Sequence, residues 1–223
     1  MLPELDGEIA KQRIARRIAL EFEDSAVVNL GIGIPTLVSD YIPEGVHVIF
    51  QTENGAIGAG PKPEKEDLRF IGAGGRPLTM RPGSVLVSSD ISFGLIRGGH
   101  IDYTVLGALQ VDESGSLANW WIPGKIMPGM GGAMDLVTGV KQVIVGMLHT
   151  NKQGNSKLVS SCNLPYTGVG VVDMVVTEWC VMRFISGKMT LCELAPEIDV
   201  EELRKITDAD FDVSADVTVM QGG

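Results

Sequence analysis

Apolar residues recur along the chain in two periods. Between Asp6 and about Phe22 they fall at Ile14, Ala15, Ile18, Ala19 and Phe22, the spacing of an amphipathic helix with Asp6 placed as its N-cap. The next stretch, AVVNLGIGIPTLVSDYI, reads as a strand at Ala26–Leu30, a glycine turn, and a helix in which Pro35 suits the first position. Short apolar runs follow at Val46–Gln51, Ser84–Ser88, Tyr103–Leu109, Val143–Leu148 and Met174–Phe184. Runs apolar on both faces suit the inner strands of a sheet covered by helices. PGKIMPGMGGAMDLVTG predicts a glycine- and proline-rich loop entering a helix near Ala133–Val137, and MTLCELAPEIDVEELRKIT a strand, a turn and a helix capped by Asp199. The expected class is α/β, an open, mostly parallel sheet with helices on both faces. No linker divides the chain, so residues 1–223 are expected to form a single domain.

Composition narrows the chemistry. A formal charge of −10 repels nucleic acid and anionic membranes at long range, so neither is an expected partner. No apolar run reaches the length of a membrane span, and Arg13, Arg16 and Arg17 alternate with acids, unlike a transit peptide. Three cysteines without a paired spacing suggest reduced thiols, and the expected location is cytoplasmic. His47, His100 and His149 are scattered, so no metal is expected. GIGIPT lacks the third glycine of a dinucleotide fingerprint, PGKI is no phosphate-binding loop, and the serine pairs Ser88–Ser89 and Ser160–Ser161 read as strand ends.

One acid stands out. In QTENGAIGAG, Glu53 follows the apolar run that ends at Gln51, and the residues after it offer backbone and little side chain. A solvated acid at an Asn-Gly turn is one reading. The other is a carboxylate at the C-terminal end of a buried strand, where open α/β sheets place their ligand crevices. Glycines there let a ligand approach the backbone.

QTENGAIGAGP, NLGIGIPT, IRGGHID, LANWWIPGK and GMGGAMDLV, in that order over nearly the whole chain, resemble the β subunit of family I CoA-transferases. The resemblance implies the CoA-transferase (NagB/RpiA-like) fold and makes Glu53 the covalent nucleophile. It gives Gly132 as the oxyanion-hole amide, and Asn29, Gly31, Gly33, Asn54, Gly131 and Lys125 as residues for substrate or CoA. Asn29 has a second reading, bonding the Gly31–Gly33 turn, and Lys125 a second as a solvated loop lysine. Ala56, Ile57 and Ala59 would wall the site against water or, equally, belong to the core. Thr52 replaces the family's usual serine, and Gly75 stands where some relatives carry a lysine, with Arg76 beside it to compensate.

The implied reaction moves CoA between an acyl-CoA and a short-chain or 3-oxo acid such as acetoacetate, butyrate or acetate, with CoA as substrate and covalent intermediate and no permanently bound cofactor. The implied partner is an α subunit, as α₂β₂. A succinyl-CoA:3-oxoacid or 3-oxoadipate enzyme, and a non-catalytic sugar-phosphate-binding protein of the same fold group, are the alternatives.

Overall fold

The computed structural model describes residues 5–61, 63–124, 127 and 129–222. Thirteen strands and five α-helices are present among them. The chain opens on α1 (Gly7–Ala19), capped by the Asp6 carboxylate, which accepts from the Glu8 and Ile9 amides. β1 (Val27–Leu30), α2 (Ile34–Leu37), β2 (Ile49–Gln51), β3 (Ala56–Ala59) and β4 (Met80–Leu86) follow. Next come α3 (Ser89–Arg97), β5 (Tyr103–Leu106), β6 (Gln110–Asp112), β7 (Leu117–Ala118), α4 (Ala133–Gly139) and β8 (Gln142–Gly146). The chain ends with β9 (Leu158–Val159), β10 (Met174–Val176), β11 (Cys180–Ile185), β12 (Lys188–Leu194), α5 (Val200–Lys205) and β13 (Asp212–Val219).

Ten strands form one sheet in the order β13-β12-β11-β10-β8-β5-β1-β2-β3-β4. Its centre, from β10 to β2, is parallel, and the antiparallel pairings lie outside it at β10/β11, β11/β12, β2/β3 and β3/β4. β6, β7 and β9 make a small second sheet. Side chains alternate across the central strands, so both faces need cover. In β8, Ile144 joins the cluster packed by Ile14 and Ile18 of α1, whereas Val143 and Val145 join that of Ile96 from α3 and Leu136 from α4. Helices therefore cover both faces, as the double-faced apolar runs predict.

α1 is further fixed through its buried arginines. Arg17 pairs with Glu193 and with Glu21, and Arg13 with Glu197, 2.6 Å away. These cations tie the first helix to β12 and the loop after it.

The structure departs from the sequence reading at several places. Val46–Gln51 shortens to β2, because the chain enters that strand through a turn. Ala56–Ala59 is a strand, making the Asn-Gly stretch a hairpin between β2 and β3. Ser88 and Ser89 do not end a strand: Ser88 is the N-cap residue of α3. Met174–Phe184 divides into β10 and β11 around Thr177, whose hydroxyl accepts from the Trp179 and Cys180 amides and turns the chain. β13 adds an edge strand parallel to β12.

Candidate active site

β1, β2 and β5 run parallel, and their C-terminal ends open into one cleft of about 1070 Å³. Asn29 to Ile32 continue from β1, Gln51 to Glu53 from β2, and Leu106 to Leu109 from β5. The far wall is Gly129 to Ala133, the approach to α4. Cleft and strand ends thus coincide, as the topology of an open α/β sheet requires.

Glu53 is held by the hairpin turn. The Thr52 amide donates to Ala56 O at 2.8 Å, and the Gly55 amide to Thr52 O at 2.9 Å. Gly55 has φ +118° and its carbonyl accepts from the Val87 amide at 2.9 Å, so a β-carbon there would meet the Val87 backbone. Only glycine lets the turn lie against β4 in this way. The half-buried Glu53 carboxylate forms no hydrogen bond or ion pair with any described residue. Burial raises its pKa above the ordinary glutamate range, and the negative charge of Asp135 adds to the rise.

Gly132 faces that carboxylate. A β-carbon on Gly132 would sit 2.9 Å from Glu53 Cδ, closer still to Oε2, and 3.2 Å from Phe93 Cε1. The absence of a side chain is therefore what lets the α4 entrance touch the acid. Asp135, one turn further on, is bound by Arg97 through Nε at 2.7 Å, and the Arg97 guanidinium lies 5.5 Å from the Phe93 ring centre. Arg97 is thus engaged with a protein carboxylate, whereas Arg76 lines the cleft.

The remaining candidates separate. Asn29, Gly31 and Gly131 line the cleft together with Glu53 and Gly132. Gly33 and Asn54 are not among the described lining residues; the Asn54 amide is turned to Ile71 O at 2.7 Å. Lys125 lies outside the described residues. The side-chain amide of Asn29 does not bond the Gly31–Gly33 turn; it donates to Gln51 Oε1 at 2.8 Å and Gln51 O at 3.2 Å. Of the expected small walls, Ala59 lines the cleft.

Sequence reasoning passed over Gln51, Ser92 and Asp135. A polar residue closing an apolar run was a signal for Gln51; the other two had none without the fold. Among the described residues no cluster of His, Cys, Asp and Glu is arranged to hold a metal, and no helix is long and apolar enough to cross a membrane.

A sequence model of the family described as Coenzyme A transferase matches residues 11–205. The chain belongs to that family. It is 52% identical to the β subunit of the acetate CoA-transferase of Escherichia coli (strain K12), over 96% of this chain and 98% of that one. It is 49% identical to one subunit of the probable succinyl-CoA:3-ketoacid coenzyme A transferase of Bacillus subtilis (strain 168), over 93% of this chain and 97% of the relative. The fold matches the crystal structure of an acyl-CoA transferase from Escherichia coli O157:H7, described as a thioester complex with CoA, with a TM-score of 0.75 and 22% identity. That match covers 100% of this chain and 44% of the longer one. By family, then, the chain is the β-type half of a CoA-transferase, in the expected α/β fold, and the cleft is its candidate active site.

Proposed function

We propose that Glu53 carries CoA as a covalent thioester while the enzyme moves it between an acyl-CoA and a short-chain or 3-oxo carboxylic acid. The observation behind this reading is one carboxylate, without a hydrogen-bond or ion-pair partner among the described residues and partly desolvated, standing in the cleft against a glycine. A carboxylate needs no general base to act, but it is a weak nucleophile, and desolvation with a raised pKa strengthens it.

A Glu53 oxygen attacks the thioester carbonyl, the carbon–sulfur bond breaks, and CoA leaves as thiolate. The product is an acyl-glutamyl anhydride. The thiolate then attacks the glutamyl carbonyl, releases the first acid as its carboxylate and leaves a glutamyl-CoA thioester. An incoming carboxylate reverses both steps and departs as the new acyl-CoA, regenerating Glu53. No proton and no electron is exchanged with the protein. Each attack places negative charge on a carbonyl oxygen. The Gly132 amide is the assigned donor for it, and removal of such a donor costs on the order of 100-fold or more in rate.

Relatives named as single subunits of larger enzymes, and a structural neighbour of which this chain covers 44%, support an α partner that completes the cleft. We assign the complex as α₂β₂ and cytoplasmic, with residues 1–223 as its β-subunit domain. Acetate, butyrate and acetoacetate are the assigned acids. A succinyl donor is the second reading, supported by the Bacillus relative's name and by Arg76 on the cleft wall, a cation for a distal carboxylate.

The test incubates the co-expressed α/β complex with acetoacetyl-CoA and measures the intact mass of this chain. A CoA adduct that is lost in Glu53→Gln supports the proposal. An adduct that persists in the variant moves the nucleophile elsewhere, and no adduct in the wild type favours a binding protein of the same fold.

A further inference from the structure

Beneath Glu53 lies a buried polar group that the chemistry above does not use. Gln51, Ser92 and Asn29 are only 2%, 0% and 4% exposed. Gln51 Nε2 donates to Thr52 O at 2.9 Å and to Ser92 Oγ at 2.7 Å. Ser92 Oγ itself reaches Thr52 O at 3.3 Å, and the Gly55 amide donates to the same oxygen at 2.9 Å. Asn29 Nδ2 holds Gln51 Oε1 at 2.8 Å, fixing the orientation of the Gln51 amide. Three donors thus converge on the carbonyl of the peptide that joins Thr52 to Glu53. One donor from the turn itself would satisfy that oxygen, so the other two add orientation rather than mere solvation.

The helix that supplies Ser92 also supports the opposite wall. Phe93, the next residue of α3, packs on Gly132. One turn later Arg97 binds Asp135 of α4, and the Ile96 carbonyl carbon comes within 2.9 Å of where a β-carbon on Gly139 would lie. α3 therefore grips the nucleophile's peptide with one side chain and the facing helix with its neighbours.

We infer that Ser92, together with Gln51, is a positioning residue for Glu53, setting the nucleophile's peptide plane and registering it against Gly132. The inference rests on Glu53 being the nucleophile. Neither side chain touches the reacting atoms; both act through the Thr52–Glu53 peptide. Displacement of a reacting group by about 1 Å can cost roughly 100-fold in rate, so a partial loosening of this clamp corresponds to about tenfold.

The experiment uses the α/β complex with wild-type, Ser92→Ala and Ser92→Cys chains. It measures the single-turnover rate of Glu53–CoA adduct formation at saturating acetoacetyl-CoA, together with KM and thermal midpoint. Ser92→Cys keeps the side chain's shape and weakens the donor, and it serves as the second variant if Ser92→Ala does not assemble. The expected result is a rate that falls about tenfold in Ser92→Ala, with Ser92→Cys between, KM changed less than about twofold, and a melting temperature lowered by only a few degrees, so that the complex stays fully folded at the assay temperature. Adduct formation at the wild-type rate in Ser92→Ala, or a rate loss that follows the melting temperature or KM, overturns the inference while leaving Glu53 as nucleophile. Absence of the adduct in the wild type overturns the function first and this inference with it.

Discussion

Adding one methyl group at Gly132 separates what the fold needs from what the chemistry needs. Gly132 has φ −79° and ψ −1°, which alanine adopts without strain, and Gly→Ala at such a position stabilises by about 0.4–1 kcal/mol through the unfolded chain. The new carbon would lie 2.9 Å from Glu53 Cδ, against an ordinary carbon–carbon separation of about 3.5–4.0 Å, so the carboxylate must retreat by about 0.6–1 Å. The obstructing atoms are the free end of a flexible side chain and the edge of the Phe93 ring, so the retreat is cheap for the fold. It is expensive for the reaction. A misplacement of that size corresponds to about 100-fold in rate, or about 2.7 kcal/mol of barrier.

Gly132→Ala in the α/β complex is therefore expected to keep its melting temperature to within a few degrees and lose about 100-fold in kcat/KM, with slower Glu53–CoA formation. Steady-state kinetics and intact-mass sampling on the same preparation measure both. Activity within about threefold of wild type refutes the reasoning. So does a melting temperature that collapses with the activity, because α4 rather than the carboxylate would then have moved.

The raised pKa of Glu53 carries a stability cost whose sign is fixed: the folded state binds this proton more tightly than the unfolded chain, so stability present at low pH is lost as pH rises through the folded value. Glu53→Gln, which cannot ionise, is expected to melt above wild type at pH 7.5 and to converge on it as the pH falls to about 4, whereas a less stable variant at pH 7.5 contradicts the assignment. Gly55→Ala is expected to lose about 1–3 kcal/mol in urea unfolding, since φ +118° and contact with the Val87 backbone oppose any β-carbon; an unchanged midpoint would refute that turn geometry. His149, buried between the Thr177 and Thr207 hydroxyls, has its pKa lowered to about 4, chiefly by burial, so stability is present above the unfolded pKa of about 6.5 and is lost as pH falls toward 4. The fold should lose about 1.6 kcal/mol through this group between pH 6.5 and 5, and an unfolding series in which His149→Gln shows the same pH slope as wild type would remove His149 as its cause.

Local chemistry determined a good part of this protein. The helix α1 and its Asp6 cap, the Asp199 cap of α5, the turn from β1 into α2 and the apolar central strands follow from spacing and end residues within a few positions of one another. Glu53 stood out locally, as an acid after a buried strand and before a run of small residues, but its role as nucleophile is what the family resemblance implies.

What needed the tertiary structure was set by residues distant in sequence. β13 alternates apolar Val213, Ala215, Val217 and Val219 with polar residues, a strand pattern that the sequence reading passed over; what only the fold supplies is its partner, the free edge of β12. Asn54, adjacent to the acid, is carried off by the turn to Ile71, while Gly132, 79 positions along the chain, is brought against it. The Gln51–Ser92 bond spans 41 residues and exists only once α3 has docked on the sheet. Periodicity specifies which face of an element is buried; which polar atoms meet across the interior depends on strand order and helix docking, and these settle only when the whole sheet has closed under its helices.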